Sequence, residues 1–162
     1  MQAVIFIPEG NGMVRVGDKA PDLKLRADDG KEYSLGSMKG KKIVLYFYPK
    51  DDTPGCTVEA CGFRDGISAI TEKNAVVLGV SRDTVDSHRK FKSKYSLNFP
   101  LLADTESKVC EAYGVLKEKT MYGKKSIGIV RSTFVIDETG KIAGIISPVK
   151  PEGHEKEVLQ YL

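Results

Sequence analysis

The sequence predicts one three-layer α/β sandwich with a mixed central sheet, and three observations carry that reading. Apolar runs rich in aromatic and β-branched residues recur along the chain, helix-period segments lie between them, and a hairpin signature closes the series. The 162 residues are 41% hydrophobic and 29% charged, the make-up of one globular domain. A domain of that size buries about two-thirds of its unfolded-chain surface. No internal repeat or Pro/Ser-rich linker offers a place for a second domain to begin.

Residues 1–12 stand apart. Pro8, Gly10 and Gly12 break any regular element, and Met13-Val14-Arg15-Val16 reads as the start of the domain. They are expected to be an appendage with no assigned function and no need for order, with the domain at 13–162. The first element is a hairpin turning at Asp28-Asp29-Gly30. The strongest strand is 43–48, bounded by Lys42 and Pro49; its unbroken apolar run suits a central strand covered on both faces. A long helix follows from Pro54 to about Lys73, then a strand at 75–80, a helix at 85–95 and a short helix at 107–113 that Gly114 stops. Strands at 132–136 and 142–146 flank Asp137-Glu138-Thr139-Gly140, the turn of an antiparallel hairpin. A last helix covers 152–162.

Several classes are excluded. No apolar run approaches the ~18 residues that cross a bilayer. The first seven residues are apolar but lack a basic n-region and a small-residue cleavage site, so no secretory signal is expected. The net charge is only +3, and the doublets Lys41-Lys42 and Lys124-Lys125 read as solvated turns rather than a nucleic-acid footprint. A cytoplasmic protein with neither membrane nor nucleic-acid partners is the expectation. In that reducing compartment three cysteines are thiols, either packed or chemically active.

Cys56 has the neighbours of an active thiol. Thr53 before Pro54 marks a helix start, with Thr53 at the N-cap, Pro54 at N1 and Cys56 at N3. A sulfur there faces unpaired backbone N–H groups and the positive end of the helix dipole, both of which favour the thiolate. Glu59, one turn on, works against it. Cys56, Ala60, Phe63, Ile67 and Ile70 fall on one stripe, which points Cys56 toward the sheet.

Cys61 sits about 140° further round the helix, and ideal geometry puts the two Cα atoms roughly 8–9 Å apart. A disulfide needs less than about 7 Å. The pair can close only if the first turns unravel. Gly62 and Gly66 each cost a helix about 1 kcal/mol relative to Ala, so the weakness falls just beyond the two cysteines. A cycle with a local unfolding step is the expectation.

Spacing alone does not establish redox chemistry. C-x4-C is neither the C-x-x-C of a thioredoxin-type site nor a zinc ribbon, and a lone free cysteine is ordinarily a packed hydrophobe. Pro49, Thr53 and the helix start shift the balance for Cys56. Cys110 is assigned to packing. Arg64 and Arg82 read as surface salt bridges, and His88 and His154, in charged surroundings, as solvent-facing. Neither a metal site nor a cofactor is expected from these residues.

The stretch Tyr46-Phe-Tyr-Pro-Lys-Asp-Asp-Thr-Pro-Gly-Cys-Thr-Val-Glu-Ala-Cys-Gly-Phe-Arg-Asp65 resembles the active-site signature of peroxiredoxins, specifically the Q-type or bacterioferritin-comigratory subfamily. The P-x-x-x-T-x-x-C core falls on Pro49, Thr53 and Cys56. The likeness continues through 79–83, 99–104, 109–114 and 131–137, and so spans nearly everything from Met13 onward.

The resemblance implies a thioredoxin-like form of the sandwich and a thiol peroxidase. It implies Cys56 as the peroxidatic cysteine and Cys61 as the resolving one, closing an intramolecular disulfide. Thr53 and Arg131 would hydrogen-bond the thiolate and the peroxide oxygens, and Pro49 would shield the site from water. The implied partners are a hydroperoxide and thioredoxin or a similar dithiol, with no cofactor and a monomeric chain. Two rival readings are disulfide exchange, against which the missing C-x-x-C argues, and a redox sensor or holdase on the same scaffold.

The chemistry sets its own demands. A free cysteine is about 3% ionised at pH 7, so full ionisation accelerates attack by only about thirtyfold. Donors to the departing oxygen, worth about 10²–10³ each when well placed, must supply the rest.

Overall fold

The computed structural model describes residues 14–162; the appendage expected at 1–12 lies outside the described residues. Alternation along one strand sets up the two halves of the core. In β3 (Lys42–Phe47) and the residue after it, Ile43, Leu45 and Phe47 enter one buried cluster, while Val44, Tyr46 and Tyr48 enter the other. Successive side chains of a strand point to opposite faces, so an all-apolar strand needs cover on both.

β3 is the middle of a five-stranded sheet, with two strands on either side of it. Its parallel neighbour is β4 (Ala75–Ser81), which pairs in turn with the short parallel β5 (Leu101–Ala103). On the other side lie the antiparallel β8 (Ser132–Ile136) and β9 (Ile142–Ile146), joined by the expected turn. The mixed sheet is thus as the sequence predicts. One face is covered by α1 (Pro54–Glu72), α2 (Val85–Tyr95) and α4 (His154–Leu159), which supply Phe63, Phe91 and Val158 to its cluster. The opposite cluster takes Val109 and Cys110 from α3 (Lys108–Ala112). Also on that face are residues around the N-terminal hairpin, in which β1 (Lys24–Arg26) pairs with β2 (Glu32–Ser34).

Two features depart from the sequence reading. β5 is only three residues long, too short to show a period. A second hairpin, β6 (Leu116–Met121) with β7 (Lys124–Ile129), turns at Tyr122-Gly123, where both residues have positive φ. Residues 124–127 of it are exposed, so it lacks the apolar run that marks the sheet strands.

The glycines of α1 have a second meaning. A Cβ on Gly62 would lie 2.7 Å from Glu155 Oε2, and one on Gly66 3.1 Å from Glu155 Cγ. They let α4 approach α1 closely, as well as weakening the helix.

Candidate active site

The loop between β3 and α1 builds the site. Pro49 follows the strand and is half-buried at the start of this segment. Thr53 is the N-cap residue, extended at φ −98° and ψ 157°, and Pro54 takes the first helical position. The Thr53 carbonyl accepts the first helical bond, from Thr57 N at 2.8 Å. The hydroxyl does not cap the helix: Oγ1 donates to Lys50 O at 2.8 Å and makes no cap bond. The first N–H groups of α1 therefore keep their pull on a negative group beside them.

Cys56 lies in the first turn on the inward stripe with Ala60, Phe63 and Ile70, and only 1% of it is exposed. Arg131, just before β8, reaches across the sheet end, and its Nη2 lies 3.3 Å from Cys56 Sγ. Its Nη1 donates to Glu59 Oε1 at 2.7 Å. Gly55 makes room for this: a Cβ there would meet Arg131 Nη2 at 3.0 Å and Pro151 Cγ at 3.4 Å. Thr53, Cys56 and Arg131, three of the residues singled out from sequence, thus converge on one helix end.

Cys61 is not brought to Cys56. Both lie in the unbroken helix α1, Cys61 half-buried, and both are free thiols. Cys110 is also free and is fully buried against Asp104, and burial pushes its thiol far above the ordinary range. That matches a packing role.

Glu59 belongs to the site as more than an opposing charge. It is 1% exposed, and burial pushes its carboxyl up to about 7 while Arg131 pulls the other way. Its Oε2 makes no hydrogen bond among the described residues, and His154 Nε2 stands 4.0 Å away. Tyr46, stacked on Phe63 at 4.7 Å, lies beneath; burial first, then Glu59 and Cys56, drive its phenol well above its ordinary range.

Both histidines overturn their expected exposure. His154 is 1% exposed and His88 is 0%. His154 packs edge-on against Phe63 and lies 2.7 Å from Thr133 Oγ1 and 3.0 Å from Glu157 Oε1. Burial holds it below its ordinary range, so Nδ1–H donates to Glu157 and Nε2 accepts from the Thr133 hydroxyl. Helical spacing carried the signal in each case: His88 shares a face with Phe91 and His154 with Val158.

Among the described residues, Asp51, Asp83 and His88 bring potential metal-ligating atoms within 4.8 Å of one another. The Asp51 carboxylate is engaged by His88, Tyr48 and Ser87, and the Asp83 carboxylate accepts from Ser81 and the Asp51 backbone N–H, which makes a hydrogen-bonded network. No helix among the described residues is long and apolar enough to cross a membrane.

Comparison with known proteins places the chain. Residues 16–145 match the AhpC/TSA family. Peroxiredoxin Bcp of Bacillus subtilis is 50% identical over 149 residues, covering 92% of this chain and 95% of the relative. Peroxiredoxin Bcp of Escherichia coli is 41% identical over the same length, with 92% and 96% covered. Among solved structures, a cysteine-to-serine variant of Xylella fastidiosa PrxQ superposes with a TM-score of 0.87 at 40% identity, over 93% of this chain and 96% of the other. Bacterioferritin comigratory protein of Xanthomonas campestris, studied for alkyl peroxide reduction, gives 0.84 at 39% identity, over 91% and 94%. With this fold and this thiol at the helix mouth, the chain belongs to the AhpC/TSA family as a peroxiredoxin of the Bcp or Q type, a thiol peroxidase.

Proposed function

We propose that Cys56 reduces hydrogen peroxide and organic hydroperoxides, that Cys61 resolves the oxidised product within the same chain, and that thioredoxin or a similar dithiol recycles it. The observation that supports this best is the 3.3 Å contact of Arg131 Nη2 with Cys56 Sγ at the third position of a helix.

The Cys56 thiolate attacks the terminal oxygen of ROOH. The O–O bond breaks, its electron pair leaves with RO⁻, which takes up a proton to become ROH, and Cys56 becomes a sulfenic acid. Arg131 faces the sulfur with a fixed fork of N–H donors, two of them engaged by Glu59 and Cys56. The remaining N–H groups can take up charge developing on the departing oxygen. Thr53 commits its proton to Lys50 O, so toward the O–H of an incoming peroxide its hydroxyl oxygen can only accept. Pro49, at the start of the segment, keeps water from the nascent sulfenic acid.

Resolution needs motion. The Cys61 thiolate attacks Cys56–SOH, the S–O bond breaks with loss of hydroxide, and a 56–61 disulfide forms. Two residues five apart on a regular helix are too distant for this, by about 1–2 Å, so the first turns of α1 open. A dithiol then returns two electrons and two protons. The reading includes a monomer acting in the cytoplasm, where such a dithiol is maintained.

Replacing Cys56 with Ser abolishes peroxide consumption supported by dithiothreitol, and persisting activity overturns the assignment. Peptide mapping after one equivalent of peroxide yields a 56–61 disulfide. A bond to Cys110 or between chains means that Cys61 does not resolve.

A further inference from the structure

Resting on the reading of Cys56 as the peroxide-reactive thiol, we propose that His88 is a positioning residue of this site. Through a proton shared with Asp51, it fixes the segment that carries Thr53.

His88 is fully buried on the inner face of α2 and takes no part in the chemistry above. Its Nε2 lies 2.9 Å from the Leu102 carbonyl oxygen and its Nδ1 2.7 Å from Asp51 Oδ2. A carbonyl oxygen only accepts, and a neutral imidazole donates from one nitrogen only. With the Nε2 proton committed to Leu102, the short contact at Nδ1 requires a second proton on the line to Asp51. Such charge-assisted bonds are roughly twice as strong as neutral ones.

Asp51 is the hub that this bond secures. Tyr48 Oη donates to its Oδ1 at 2.6 Å and Ser87 Oγ to its Oδ2 at 2.8 Å. Its backbone N–H donates to Asp83 Oδ2 at 2.9 Å, and the same oxygen receives Ser81 Oγ at 2.6 Å. The next residue, Asp52, adopts a left-handed backbone at φ 58°, and its carboxylate is gripped by Lys94 Nζ at 2.8 Å and Tyr95 Oη at 2.9 Å. Thr53 then closes on Lys50 O.

Helix α2 thus holds the segment from one side. On the other side, Arg131 is held by Glu59 of α1 and contacts Cys56 directly. Thr53 takes its place beside that pair from the segment α2 holds. A displacement of about 1 Å at a reacting group costs about 10²-fold in rate. Removing one partner from a buried polar network also leaves the others unsatisfied, which favours such a displacement.

The test compares two reactions of reduced Cys56 in the full chain. Hydrogen peroxide requires Thr53 and Arg131 in place, whereas iodoacetamide requires only the nucleophile. His88→Leu lowers the peroxide rate constant by about tenfold or more beyond its effect on alkylation. His88→Asn, whose amide still donates toward Asp51, recovers most of that difference. Should the leucine variant not fold, Asp51→Asn carries the same test with the same expected selectivity. Rates that fall in parallel, or an unchanged peroxide rate, overturn the proposal. Wild-type Cys56 reacting with hydrogen peroxide no faster than a small-molecule thiol is a different failure, that of the site reading itself.

Discussion

Glu59, buried in the second turn of α1, forms a 2.7 Å ion pair with the partly buried Arg131, and the same guanidinium reaches Cys56 Sγ with its other terminal nitrogen. The carboxylate inside the helix therefore sets where the donors to the sulfur lie. Removing a charge of this kind from water costs several kcal/mol, which a single partner only partly offsets.

That cost has a pH signature. Burial raises the Glu59 carboxyl from 4.5 to about 7, with Arg131 opposing. The folded chain therefore holds a proton that the unfolded chain has released between those values, so folding stability falls as pH rises through that window and levels off above it. The whole span is on the order of 3 kcal/mol. Glu59→Gln removes the titration. Urea unfolding at pH 5 and pH 8 is expected to show wild type losing more stability than the variant over that interval. Equal losses mean that Glu59 does not titrate there.

Arg131 is expected to dominate the first chemical step. Arg131→Met lowers the rate constant of Cys56 oxidation by about 10²–10³, the range for one well-placed donor to a developing oxyanion. Arg131→Lys restores little of it, because a single ammonium cannot serve Glu59 and the sulfur together as the planar fork does. Stopped-flow competition against a reference peroxidase reads both. A lysine variant near wild type shows that charge alone suffices.

The helix glycines test the opening step. A methyl group on Gly62 meets only the far end of Glu155, which can swing away, so Gly62→Ala keeps most of its gain of about 1 kcal/mol in helix stability. That gain opposes unravelling and slows 56–61 disulfide formation by about fivefold, with Cys56 oxidation unchanged. Rapid quench and peptide mapping follow it. Adding Glu155→Ala removes the contact and leaves the slowing in place. Unchanged disulfide formation in both variants shows that helix opening does not limit resolution.

How much of this was legible beforehand follows from where burial is encoded. β3 reads from its unbroken apolar run, and α1 from Thr53-Pro54 and the stripe Cys56, Ala60, Phe63, Ile67 and Ile70, which the structure buries except for the half-buried Ile67. The β6–β7 hairpin escaped because its strands are short of buried apolar side chains. His88 and His154 were misread because their sequence neighbours are charged; the deciding neighbours lie one helical turn away. The tie of Arg131 to Glu59 spans 72 residues of sequence, so periodicity and local motifs could not pair them.

Thr53 separates capping from chemistry. An N-cap hydroxyl ordinarily supports a helix by about 1 kcal/mol, but here Oγ1 points to Lys50 O and makes no cap bond. Thr53→Val is therefore expected to leave thermal stability nearly unchanged while lowering the peroxide rate constant by about 10², the cost of losing the group that orients the peroxide. Thr53→Ser, which keeps the hydroxyl, stays within about tenfold of wild type. A valine variant that melts earlier yet oxidises at the wild-type rate shows that the hydroxyl only braces the loop through Lys50 O, leaving Arg131 and the helix N–H groups to orient the peroxide.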